Sequence, residues 1–157
     1  MAVPKPIIKL VGSWKGSSRL NLSWLPEGEQ IKVSTSSMQV KTDKGSNYAT
    51  ITYTWVYENE SQSGTLIIAA SESGTASCGW SDSWHQNSGV LALTGSTTDD
   101  GNTGVTGSYG DGQGGPDWGW RIEIAPTNEQ NLSFRMFNID PDGIETWAVE
   151  AVYQRDA

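Results

Sequence analysis

Short runs in which apolar and polar residues alternate recur along this chain, and no long stretch repeats apolar residues at the spacing of an amphipathic helix. Between Tyr48 and Glu58, Ala49, Ile51, Tyr53, Trp55 and Tyr57 fall on one face and three threonines on the other, the period of a half-buried strand. Leu20, Leu22 and Trp24 alternate with Arg19, Asn21 and Ser23. From Thr75 to Trp84, one face carries Ala76, Cys78, Trp80, Asp82 and Trp84. Trp118, Trp120, Ile122 and Ile124 share a face, as do Leu132, Phe134 and Met136, and residues 144–155 supply a last strand. The strand over 31–42 changes apolar phase between Val33 and Met38, which predicts a bulge. Leu66-Ile67-Ile68-Ala69-Ala70 reads as a strand covered on both faces, Val90–Gly95 as a short strand, and Thr103–Tyr109 as a polar, glycine-rich one. Lys44-Gly45, Asp100-Gly101-Asn102 and Asp140-Pro141-Asp142-Gly143 are tight-turn sequences.

The sum is about ten strands at spacings of roughly 10–15 residues, with no room for the crossovers a parallel sheet needs. The expected fold is all-β: a single antiparallel up-and-down barrel, one domain over residues 1–157. Closure removes the exposed strand edges, and a two-sheet sandwich is the competing architecture. Pro4 and Pro6 delay regular structure, and Ile7, Ile8, Leu10 and Val11 form a short apolar helical plug.

Composition narrows the function. The net charge is −8, from 18 acidic and 10 basic residues with no basic run, so no nucleic-acid partner is expected. No apolar run approaches the ~18 residues of a membrane span. Cys78 is the single cysteine, which excludes an intrachain disulfide. The N-terminus lacks a signal-peptide core, so a cytoplasmic protein is expected, although an exported one with its leader removed reads the same way. Only 36% of residues are hydrophobic, yet eight are tryptophan. So many indoles require a large apolar interior, a ring-lined cavity, or both.

Trp80-Ser81-Asp82-Ser83-Trp84-His85 is the most concentrated segment. If its Trp80 face points inward, Asp82 lies between two indoles. Desolvation then raises its pKa and suits it to proton transfer or to anchoring a cationic or hydroxylated ligand. Otherwise it is a solvated carboxylate or a turn cap. His85 is the only histidine; alone it makes no metal site, it reads as a surface or turn residue, and no serine is marked as a nucleophile. Arg121 and Arg135 lie within strands and, if inward, would select an anionic group. Their apolar neighbours argue for a solvent-facing position, with Glu123 beside Arg121, but in a barrel with a wet interior the apolar face can be the outer one, so the alternation leaves both orientations open. Glu150 shares a face with Ala148 and Val152 and is a second candidate in-barrel carboxylate. The glycine-rich stretch 107–117 leads through Pro116 into a strand rather than a helix, so it reads as a hairpin tip at the barrel mouth, not a phosphate cradle. Trp24, Trp55, Trp118, Trp120 and Trp147 also have a plain reading as core filling, because small barrels are often packed solid.

Gly12-Ser13-Trp14 at the first strand and Arg155 at the end of the last resemble the calycin superfamily of lipocalins and fatty-acid-binding proteins. The resemblance implies a barrel floor in which Gly12 turns the chain, Trp14 packs beneath the barrel, and Arg155 covers the indole. Val11-Gly12-Ser13-Trp14-Lys15-Gly16, Trp80-Ser81-Asp82-Ser83-Trp84, Trp120-Arg121-Ile122 and Glu150-Ala151-Val152-Tyr153-Gln154-Arg155 are similar to small bacterial lipocalin-like proteins of unknown function. Tyr153-Gln154-Arg155 departs from the Arg-x-Tyr order by which fatty-acid-binding proteins hold a carboxylate. The lack of a histidine after His85 departs from haem-binding nitrobindin-like barrels. The expected function is binding of a small hydrophobic or aromatic molecule in a tryptophan-lined cavity, with Trp80, Asp82, Trp84, Trp118, Trp120, Arg121 and Arg135 as ligand-binding residues. No cofactor or metal is expected, and a homodimer is left open. The alternatives are an isomerase, cyclase or hydrolase using Asp82 or Glu150, and an interaction module with a filled barrel.

Overall fold

A computed structural model describes residues 2–98 and 100–156, with Ser88 described by its backbone only. A one-turn helix, α1 (Lys5–Ile8), precedes ten strands: β1 (Gly12–Asn21), β2 (Ile31–Thr42), β3 (Ala49–Tyr57), β4 (Glu60–Ala70), β5 (Thr75–Asp82), β6 (Gln86–Thr97), β7 (Thr103–Tyr109), β8 (Trp118–Pro126), β9 (Asn131–Ile139) and β10 (Glu145–Arg155). Each strand pairs antiparallel with the next, and β1 pairs with β10, so the sheet closes into a ten-stranded barrel. None of its helices is long and apolar enough to cross a membrane, among the described residues.

The alternation expected for β3, β5, β8 and β9 is the observed burial pattern. Three local readings change. The β1–β2 register runs without a shift from Gly12↔Val40 to Asn21↔Ile31, so β2 has no bulge. Ser36, Met38 and Val40 point inward in one phase, while Ile31 and Val33 are exposed. In β4, Leu66 and Ile68 are buried, but Ile67 is exposed, because a single closed sheet has no second layer outside it. β6 spans Gln86–Thr97, well beyond the run Val90–Gly95 that its apolar residues mark. A bulge does occur in β10, between Trp147 and Val149. It turns Val149 into the core and leaves Trp147 beneath the Arg19 guanidinium, 5.1 Å from the ring centroid.

One end is closed by the N-terminal segment. Val3, Ile7 and Leu10 are buried there, and the Trp14 indole Nε1 donates to the Leu10 carbonyl at 2.8 Å. The Arg155 guanidinium lies 4.3 Å from the Trp14 ring centroid and donates to the carbonyls of Val11, Lys9 and Glu129. Gly12 enters β1 at φ 135°, and a Cβ there would lie 3.0 Å from Arg155 Nη1. A side chain at this position would strain the backbone and crowd the arginine. Burial of each large apolar side chain on this floor contributes about 1.5–3 kcal/mol.

Candidate functional site

The opposite end, where β3 meets β4 and β5 meets β6, carries the polar interior. Gly64 faces inward on β4, between Tyr53 of β3 and Asp82 of β5. With no side chain on Gly64, the Tyr53 ring lies across it; a Cβ there would come within 2.1 Å of the ring. Tyr53 thereby reaches over a whole strand, and its hydroxyl donates to Asp82 Oδ2 at 2.6 Å. The same hydroxyl accepts from Trp80 Nε1 at 3.0 Å. Asp82 Oδ1 accepts from the backbone N–H groups of Trp84 and His85, at 2.8 and 2.9 Å, and so caps the β5–β6 turn.

Asp82 is 2% exposed. Burial pushes its pKa up, as the sequence suggests, but hydrogen bonds from His85 and Tyr53 and the proximity of the imidazole outweigh it and hold the carboxyl below its ordinary value. Burial and the Asp82 charge push the Tyr53 phenol well above its ordinary value. His85 Nδ1 stands 3.5 Å from Asp82 Oδ1. Nδ1 makes no hydrogen bond there, and the two groups attract as ions only where the imidazole is protonated. Across the barrel, Ser36 Oγ donates to the Thr54 carbonyl and lies 2.7 Å from the Tyr153 hydroxyl. Because the single Ser36 proton is already used, Tyr153 is the donor in that pair. Burial pushes the Tyr153 phenol up to about 12.

Of these groups, Tyr53, Asp82, His85 and Tyr153 border a cavity of about 10 Å³, whose wall is completed by Ser18, Leu20, Trp55, Phe134, Met136, Val149 and Ala151. That is room for one water at most. Aromatic rings close it off. Trp84 packs edge-on against Trp55 and Tyr57, at 5.8 and 5.5 Å between centroids. His85 lies beside Trp55, Trp84 and Trp120. Trp80 and Trp120 stack at 5.2 Å and 8°. The Trp120 Nε1 is buried and has no hydrogen-bond partner.

The expected site residues divide between these places. Asp82 borders the cavity, whereas Trp80, Trp84 and Trp120 touch residues that line it: Trp80 donates to Tyr53, and Trp84 and Trp120 pack against His85. Trp118 is half-buried at the start of β8, opposite Tyr109. Arg121 and Arg135 are on the outer face and do not approach the cavity. Arg121 makes a bidentate pair with Glu145, at 2.7 and 2.9 Å, and bonds Glu123. Arg135 bonds Glu123 as well, and both guanidiniums cover the Phe137 ring. Glu150 is also outside, opposite Arg19 and 3.7 Å from it, because its neighbours Val149 and Ala151 take the inward positions. An in-barrel carboxylate role is therefore left to Asp82 alone of the two. Ser18, Tyr53, Trp55, His85 and Tyr153 were missed as lining residues. The periodicity held a signal for four of them, since Ser18, Tyr53, Trp55 and Tyr153 occupy the same phase as buried neighbours.

A depression of about 1110 Å³ lies at the floor end between α1 and residues of the β4–β5, β6–β7 and β8–β9 loops, among them Glu72, Thr98, Asp100 and Asn128. It is open to solvent, and Lys5, Lys9 and Arg155 mix with Glu72, Asp100 and Glu129 along its walls. It lacks the convergent buried polar groups of the mouth, which is why the smaller mouth cavity is the better candidate site.

The chain belongs to the DUF1579 family of proteins of unknown function, whose family model matches residues 5–155. A search of curated proteins found no match. Among solved structures, the S-type phycobiliprotein lyase CPES from Guillardia theta is similar at a TM-score of 0.59 and 12% identity, covering 98% of this chain and 92% of that one. A DUF3598-family protein of unknown function from Nostoc punctiforme is similar at a TM-score of 0.48 and 8% identity, with 96% of this chain covered and 49% of the other, so this chain spans about half of it. The first likeness shows a shared lipocalin-like barrel fold.

Proposed function

We propose that this DUF1579 protein binds a small, largely aromatic or apolar molecule at the mouth of its barrel. The observation that carries the reading is the Trp120 Nε1–H, buried among aromatic rings without an acceptor. A buried donor left unpaired costs about 1–3 kcal/mol, and an acceptor on a bound molecule would recover it. Polar Ser18, Tyr53, Asp82 and Tyr153 lining the adjacent cavity support the reading, since a core selected for stability alone would be apolar there. The structural neighbour being named a phycobiliprotein lyase agrees with small-molecule chemistry on this fold without specifying it here.

The cavity of about 10 Å³ describes a closed barrel. Ligand entry then requires the Trp84 and His85 side chains to move outward from Trp55, Tyr57 and Trp120. They sit on the turn after β5, where such movement leaves the barrel ladder intact. The proton-transfer alternative is less favoured, because Asp82 is held ionised by its donors and is a poor acid near neutrality. The small cavity itself favours a second reading, a filled barrel acting through its outer surface.

Titration with the neutral dye Nile red separates the two readings. Ligand binding predicts saturable quenching of tryptophan emission with a matching rise in dye emission, and a co-purified mass in native mass spectrometry. Absence of both would favour the filled-barrel reading.

A further inference from the structure

One side chain at the mouth already stands where a ligand group would stand. The His85 imidazole is surrounded by indoles, with centroids 4.7 Å from Trp84 and 5.5 Å from both Trp55 and Trp120. Its Nδ1 is 3.5 Å from Asp82 Oδ1, and its side chain is only 9% exposed. Asp82 is the only Asp, Glu, Lys or Arg in the buried set, among the described residues. Aromatic faces carry negative potential, and the carboxylate adds a full charge to it.

We propose that this cage recognises an organic cation, an ammonium group on an apolar or aromatic body, and that His85 occupies the cation's place until the ligand displaces it. The proposal rests on the mouth being a ligand site and adds the chemical class of what enters. The unpaired Trp120 Nε1–H adds a second requirement: a hydroxyl or carbonyl acceptor close to the cationic group. The same field works against carboxylate ligands. Arg121 and Arg135 are committed to glutamates on the outer face, and Arg155 lies over Trp14 at the floor, so none of them stands beside Asp82 to receive an anion.

The experiment titrates the full chain with benzyltrimethylammonium, its uncharged isostere neopentylbenzene, and phenylacetate. Indole emission and the imidazole proton resonances are followed together, and because His85 is the only histidine those resonances are unambiguous. Benzyltrimethylammonium is expected to shift the His85 resonances. It should bind His85→Gly about tenfold more tightly than the unsubstituted protein, and about tenfold more tightly than neopentylbenzene binds that variant. Asp82→Asn in the His85→Gly background should remove the preference for the cation. If the His85→Gly variant does not fold, the His85 resonances of the unsubstituted protein decide the matter, since the proposal requires them to move with the cation. Equal binding of cation and isostere, or preferred binding of phenylacetate, would overturn the cation assignment while leaving the mouth as a ligand site. Failure of all three probes and of Nile red would overturn both.

Discussion

Replacing Tyr53 by phenylalanine removes one oxygen and, with it, two buried interactions. The hydroxyl donates to the Asp82 carboxylate at 2.6 Å and accepts from Trp80 Nε1 at 3.0 Å. A hydrogen bond to a charged group contributes roughly 1.5–3 kcal/mol, and stranding the Trp80 N–H adds about 1 kcal/mol or more. The expected loss is therefore about 3 kcal/mol, a large share of the roughly 5–15 kcal/mol that holds a domain together. Urea unfolding followed by tryptophan emission should show a lower midpoint at unchanged slope. The pH dependence gives a second signature. Asp82 is held below its ordinary value in the folded state, so its stabilisation is present above the unfolded pKa, about 3.9, and is lost as pH falls through the lower folded value. Tyr53→Phe weakens that hold, so the difference between the two proteins should be full near neutrality and shrink below about pH 4. A loss under about 0.5 kcal/mol at neutral pH would refute the network, as that is the scale of an inconsequential surface change.

Further outcomes follow from other contacts. Gly64→Ala places a Cβ 2.1 Å from the Tyr53 ring, so it should cost as much as Tyr53→Phe or more, and combining the two should cost less than their sum, measured by a double-mutant cycle in urea. Arg155→Ala removes the cover of Trp14 and three carbonyl partners and should destabilise by about 1–3 kcal/mol, with a change in near-ultraviolet circular dichroism from the freed indole. Burial pushes the Cys78 thiol up to about 12, so a thiol reagent at mildly alkaline pH should react only as fast as the protein unfolds; prompt labelling would contradict that burial. Glu145→Gln on the exposed ladder should lower stability by less than about 1 kcal/mol and leave Nile red binding unchanged.

The barrel was legible because buried positions such as Ile51 in β3, Ile122 and Ile124 in β8, and Leu132 and Phe134 in β9 alternate with more exposed ones, and Arg121, Glu123 and Arg135 mark the opposite face. Legibility failed where inward residues are polar. Ser36 sits in the phase of Met38 and Val40, but as a polar residue it does not mark that phase, so exposed Val33 suggests a bulge that is absent. The bulge at Trp147 and Val149 has no comparable mark in the sequence and emerges from pairing with Phe137 and Met136. In the candidate site, the inward placement of Trp80 and Asp82 was legible in the alternation of β5, but their partners were not. Tyr53 reaches Asp82 only because β3 and β5 flank β4 and Gly64 leaves the gap, a relation set by register rather than by local sequence. For the same reason the direction of the Asp82 shift was misread: burial is visible in the alternation, whereas the donors that outweigh it appear only once the strands pair.

The indole N–H resonances during a Nile red titration give the most direct test of the mouth site. The account predicts that the Trp120 and Trp80 signals move, while Trp14, bonded to Leu10 at the floor, stays in place. Movement confined to Trp24, which is 70% exposed, would place the dye on the outer surface and contradict the account.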